Sequence, residues 1–221
     1  MNHYTLWLIV LLSGCMSLSQ DAHRIYLLND RMATPVPAHT TLPYTLRIES
    51  TRSTSFDDNM DLVFSRTPDT RGHYVYAQWS ERPSTRMSTL LFNRITGANI
   101  YHTVLSSTDE GSSDHQLSTD LLACYHDAAH SPGQAVITMR AGLYSHHELM
   151  ARRVFTQRVA LKQFNAAGAA AAFNQAESQL MDEMVVWLMS QQANGNARDQ
   201  DMTPSTTHDS SDRTANTNRN D

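Results

Sequence analysis

Three consecutive stretches of this chain alternate apolar and polar residues with a period of two, and that pattern constrains the fold most. Leu117, Thr119, Leu121, Ala123 and Tyr125 fall on one side of the first stretch. Ala135, Ile137, Met139, Ala141 and Leu143 fall on one side of the second, and Phe155, Val159 and Leu161 on one side of the third. Successive side chains of a strand point to opposite faces, so each stretch predicts a strand with one apolar face. Ala128 to Gly133 and His146-His147-Glu148 read as the turns between them, which makes the three a meander. A sheet with one apolar face must bury it under a second layer.

The rest of the chain supplies that layer and more strands. From Ala169 to Ser190, Phe173, Ala176, Leu180, Met184 and Trp187 recur at helical spacing, and the alanine run favours helix outright. Asn165 or Gly168 marks the start of this helix. A second helix is expected from Ser84 to Ile95, with Met87, Leu90, Leu91 and Arg94-Ile95 on its apolar side and Gly97 stopping it. Strands are expected at residues 23–28, 44–49 and 100–105. Met60, Leu62 and Phe64 alternate, as do Val75, Ala77 and Trp79. With the turn composition of Pro68 to Gly72 between them, these predict a hairpin. Trp79 is expected as an anchor beneath Pro83 and the first helix. The predicted class is α/β, an α+β sandwich: a mostly antiparallel sheet covered by two helices. Residues 192–221 are dominated by Asn, Asp, Thr, Ser and Arg, and are expected to be a disordered tail.

The start of the chain carries a different signal. Leu6 to Leu12 form a short apolar core, well below the roughly 20 residues a bilayer span needs. Leu12-Ser13-Gly14-Cys15 follows at once: a branched apolar residue, two small residues, then cysteine. This resembles the lipobox of bacterial lipoproteins, although Met1-Asn2-His3-Tyr4 brings no Lys or Arg. Residues 1–14 are therefore expected to be a signal peptide and 15–22 a tether acylated at Cys15, with residues 23–191 as the domain. Each buried CH₂ of an acyl chain contributes about 0.8 kcal/mol, so two or three chains hold firmly where one does not. If Cys15 is acylated, Cys124 has no partner within the chain, and a small buried hydrophobe is its expected role.

Catalytic signals are scarce. The chain has no G-x-S-x-G, G-x-x-x-x-G-K-[ST] or G-x-G-x-x-G motif. No catalytic residue, no cofactor and no enzyme activity are expected. His126 and His130 are four apart, but in a turn between strands that spacing gives no common face, so no metal site is expected. The net charge of −5 is spread along the chain, with no basic stripe for nucleic acid. Tyr74 and Tyr76, assigned to the outer face of the hairpin, are the candidate interface residues, because tyrosine joins apolar area to a polar end.

Several strings together resemble one family. They are the lipobox, Ile25-Tyr26-Leu27-Leu28, Asp61-Leu62-Val63-Phe64-Ser65-Arg66, the run from His73 to Trp79 continuing Ser80-Glu81-Arg82-Pro83, and the Ala-rich helix ending Val185-Val186-Trp187-Leu188. Over most of residues 12–190 the chain resembles the ABC-type transport auxiliary lipoproteins, in particular the PqiC-like group. The resemblance implies a small α/β sandwich acting as a non-catalytic docking subunit of a system that moves lipid between inner and outer membranes. It implies an MCE-domain periplasmic protein, an ABC permease and its ATPase as partners. It also implies a lipid (palmitate-type) anchor on the periplasmic face of the outer membrane, to which Met16 after the cysteine points. A homo-oligomer is compatible with this. A free-standing structural or lipid-binding envelope lipoprotein is the alternative.

Overall fold

The structure, a computed structural model, describes residues 23–31 and 41–201. The expected signal peptide, Cys15, the tether and residues 202–221 lie outside them. The elements are β1 (Arg24–Tyr26), β2 (Leu42–Ile48), β3 (Arg52–Ser53), β4 (Asp61–Ser65) and β5 (Gly72–Trp79), then α1 (Pro83–Ala98). After these come β6 (Tyr101–Ser106), β7 (His115–Asp127), β8 (Gln134–Ser145), β9 (Glu148–Ala160) and α2 (Ala166–Asp201). The class is mixed α/β, with one nine-stranded sheet and two helices among the described residues.

The meander β7-β8-β9 is the backbone of the sheet, antiparallel throughout as its short turns predict. The turn between β8 and β9 puts His146 and His147 at φ 48° and 67°. Two consecutive positive φ values suit the twist of a tight hairpin. The other edge of β7 is shared in succession by β2, β3 and β4, all parallel to it. From there the sheet forks. One arm adds β6 parallel to β2, and the other adds β5 antiparallel to β4 and then β1 parallel to β5. The long ladders are antiparallel as expected, whereas the short strands joined to β7 are parallel. The sequence pattern gives no sign of that, because parallel and antiparallel partners impose the same alternation.

Two irregularities change which residues face inward. In β7, Leu121 pairs with Met139 but Ala123 pairs with Thr138, so Leu122 is a bulge. An extra residue moves every later side chain to the opposite face. Leu117, Thr119 and Leu121 are buried as expected, but beyond the bulge Cys124 and His126 take the buried face in place of Ala123 and Tyr125. The Cys124 N–H donates to Asp57 Oδ2 at 3.2 Å, where the edge of β7 lies between β3 and β4. In the β4–β5 ladder, the pairs Asp61–Gln78 and Val63–His73 set two steps of β4 against five of β5. Ala77 and Trp79 are buried as expected, but Val75 projects and is 76% exposed.

The helices pack over the sheet and the core is continuous between the layers. Phe173 of α2 meets Trp79 edge-to-face, with ring centroids 5.4 Å apart, and Trp187 meets Phe155 of β9 at 5.7 Å. Trp79 is thus a core anchor between sheet and helix, with Phe173 of the second helix as its ring partner. The start of α1 is capped from a distance: the Ser84 N–H and hydroxyl both donate to the Asp58 carboxylate, at 2.9 and 2.7 Å. A carboxylate there satisfies a free N–H and complements the helix dipole. The helix runs through Gly97 and ends at Asn99, whose φ of 56° is the left-handed cap. Asn tolerates that conformation, so the expected glycine stop is not the one used. Asn165 opens α2 by accepting the Gly168 N–H at 2.8 Å. The helix backbone continues to Asp201, past the expected end at Ser190 and into the stretch read as tail. No described helix is long and apolar enough to cross a membrane.

Candidate functional site

The β1–β5 arm carries the surface feature that best suits recognition. Where β5 departs from the β4 register, Val75 and Tyr76 project outward, and Tyr76 is 54% exposed. Ile25 and Leu27, flanking Tyr26 in and after β1, and Phe164, before α2, are exposed as well. Between these elements lies an open cavity of about 670 Å³. Tyr26, Phe64, Tyr74, Val75 and Phe164 supply much of its wall, and Arg24 and Arg66 line it too. That volume lies inside the range of ligand pockets, roughly 300–1,000 Å³.

Of the two candidate interface residues, Tyr76 stands at the surface as expected, whereas Tyr74 is turned inward and half-buried. The extra residues of β5 explain the difference, since they break the simple alternation that put both on one exterior face. Tyr74 stands edge-on to Phe64 and parallel to the His126 ring, with centroids 5.4 and 6.1 Å away. Its hydroxyl lies 2.8 Å from His126 Nδ1. His126 Nε2 lies 3.2 Å from the Pro132 carbonyl, which can only accept, so Nε2 carries the proton and Nδ1 accepts from Tyr74. Burial favours this neutral imidazole by holding the His126 pKa below its usual value, against the pull of the Pro132 bond and of Asp127. Burial also pushes the Tyr74 phenol up to about 12, opposed by the Arg66 charge. Tyr74 is therefore a neutral donor locked into the cavity wall.

The β7–β8 turn holds that arrangement. Gly133 has φ 75°, and a Cβ there would lie 2.4 Å from His126 Nε2 and 2.3 Å from the Asp127 carbonyl oxygen. We expect Gly133→Ala to cost about 2 kcal/mol or more in a denaturant titration, from positive-φ strain together with the displaced imidazole. A change below about 0.5 kcal/mol would show that the turn relaxes freely.

The remaining chemistry-bearing residues have structural surroundings. His130 is exposed in the turn and shares no site with His126. Among the described residues, no group of three or more His, Cys, Asp or Glu side chains is placed to hold a metal ion. Cys124 is buried, and burial, with Asp57 and Asp58 nearby, raises its thiol pKa far from the reactive range.

A polar belt between the helices went unrecognised in the sequence. Buried Arg94 of α1 binds both carboxylate oxygens of Asp30, at 2.5 and 2.7 Å, and also pairs with Asp182 of α2. Arg86 donates to the Leu28 carbonyl and the Asn29 side chain, at 2.8 and 2.7 Å. Asn174 and Ser178 of α2 accept the Asn29 and Arg31 N–H groups at 2.9 and 2.8 Å. The segment after β1 is thus strapped across both helices, which fixes the edge strand that borders the cavity. Arg94 follows Met87, Leu90 and Leu91 at helical spacing, so its inward position was legible in the sequence but its partners were not.

Comparison with known proteins gives the fold a family. The model of the ABC-type transport auxiliary lipoprotein component matches residues 26–185. The chain belongs to that family. It is an auxiliary transport component of lipoprotein type, with the membrane association this implies. Among solved structures, a Xanthomonas campestris protein of family model DUF330 aligns with TM-score 0.72 and 23% identity, over 79% of this chain and 99% of its own. An uncharacterised protein aligns with TM-score 0.61 and 12% identity, over 76% of this chain and 99% of that one. At these identities the likeness establishes the shared fold alone. No curated protein sequence matches the chain.

Proposed function

We propose that this auxiliary lipoprotein is a non-catalytic, outer-membrane-anchored docking subunit of an ABC transporter that moves lipid between the two membranes. The family match over residues 26–185 carries this reading, because it ties the folded domain to transport through an auxiliary role. The lipobox ending at Cys15 and Met16 after it support acylation and an outer-membrane destination on the periplasmic face. The domain would join an MCE-domain periplasmic protein, itself served by an inner-membrane permease and ATPase. The absence of nucleotide-binding and nucleophile motifs from the sequence supports drawing the energy from those partners. The exposed Tyr76, with Tyr74 behind it shaping the β5 projection, is the proposed contact surface.

Cys15→Ala tests the anchor. The variant should lose acyl mass and leave the outer-membrane fraction while keeping the circular-dichroism spectrum of the wild type. Continued sedimentation with the outer membrane would make protein contacts the dominant attachment. For the contact surface, a Tyr74→Ala, Tyr76→Ala double variant should co-purify the MCE protein at well below wild-type yield. Recovery at wild-type yield would remove these tyrosines from the interface.

A further inference from the structure

The cavity of the β1–β5 arm is basic although the chain as a whole is acidic. Overall the sequence is acidic, at −5, yet the described residues lining this cavity include Arg24 and Arg66 and no Asp or Glu. Neither arginine is in an ion pair among the described residues. The Arg66 guanidinium stands 4.9 Å from the Phe64 ring centroid, which leaves its fork of donors available. His73 is the other titratable group with a basic form in the lining, and it is occupied by Asp61 at 3.5 Å. The same Asp61 carboxylate also accepts from Gln78 at 3.4 Å. The rest of the wall is largely aromatic or aliphatic.

Two planar cations beside an apolar wall match a molecule with an anionic head and an apolar chain. Arginine forks bind phosphate oxygens bidentately, and aromatic walls cover hydrocarbon. Position supplies the source of such a molecule. Arg24 is nine residues after Cys15, so an extended chain places it at most about 30 Å from an acylated cysteine. The cavity is therefore held close to the leaflet that receives the anchor.

We infer that this cavity binds a single anionic phospholipid from that leaflet, with Arg24 and Arg66 on the phosphate and the Phe64, Tyr74 and Phe164 wall along an acyl chain. This deepens the lipid-anchored reading above and rests on it for the source of the lipid. The assigned chemistry stands on the cavity itself.

The test is native mass spectrometry of the full chain extracted from envelopes in mild detergent, titrated with dihexanoyl phosphatidylglycerol. Dihexanoyl phosphatidylcholine and glycerol 3-phosphate serve as comparison probes. One phosphatidylglycerol per chain is expected, with each comparison probe binding at least about tenfold more weakly, since one lacks the net anionic charge and the other the acyl chains. Arg24→Gln with Arg66→Gln should weaken phosphatidylglycerol about tenfold. Arg24→Lys with Arg66→Lys keeps the charge but loses the forks, and should bind between wild type and the Gln pair. Arg152→Gln with Arg153→Gln removes the same charge from β9 and should change nothing. Equal binding of the two lipids, equal loss in the β9 control, or no bound lipid because the chain's own terminal segment fills the cavity would overturn the proposal. The intact mass in the same spectrum reports acylation of Cys15, so a failed anchor is distinguished from a failed cavity.

Discussion

Arg94→Ala is expected to destabilise the domain by about 3–5 kcal/mol, the range for breaking a buried ion pair on one side. Arg94 is nearly inaccessible, and Asp30 grips it through two hydrogen bonds while Asp182 holds it from α2. Without the guanidinium, the Asp30 and Asp182 charges face each other and the carboxyl of Glu177 with their main counter-ion gone. The strap from Leu28 to Arg31 would then hold to the helices only through Arg86, Asn174 and Ser178. For a domain of this size, the loss corresponds to roughly 10 °C or more in melting temperature. Calorimetry at pH 7 measures it. A shift within about 2 °C would mean that the belt contributes little and that the apolar core alone fixes the helices.

Glu177→Gln is expected to act in the opposite direction and to depend on pH. Glu177 is fully buried on α2, and neither carboxylate oxygen has a hydrogen-bond partner among the described residues. Burial, assisted by the Asp30 charge, raises its pKa from 4.5 to about 8, against the pull of Arg94 and Arg86 and with Asp182 adding to the rise. The folded chain thus keeps a proton that the unfolded chain releases above about 4.5. The contribution of Glu177 to wild-type stability should fall as pH rises from about 4.5 to about 8 and level off beyond. The Gln variant has no such proton to lose. Its advantage over wild type should be near zero at pH 4 and grow to the order of 3 kcal/mol by pH 8. Urea titrations across that interval give the slope. A difference between the two proteins that stayed constant from pH 5 to pH 8 would contradict a protonated Glu177.

These two residues mark where the sequence stopped being informative. The meander, the hairpin and both helices were legible because apolar residues recur at periods of two or near 3.6, and burial follows that period. Arg94 and Glu177 sit at inward helical positions, but a charged side chain there reads as an exception until its partner is known. Asp30 comes from a loop far away in sequence. The inward turn of Tyr74 and the buried His126 share another cause. Both follow register shifts, at Leu122 in β7 and within β5, that are set by partner strands rather than by local composition. The cationic cavity was hidden for the same reason, because Arg24, Arg66 and Phe164 meet only through the forked sheet and the start of α2. The family, by contrast, was visible in short strings, since the aromatic strand leading into Pro83 and the Val185 to Leu188 stretch of α2 lie in the folded domain.

The most direct test of the transport role is affinity purification of the acylated full chain from detergent-solubilised envelopes, with every co-purifying protein quantified. An MCE-domain protein should be recovered near stoichiometrically, together with its ABC permease and ATPase. Recovery of the acylated, folded chain alone would contradict a docking role and leave a free-standing envelope lipoprotein.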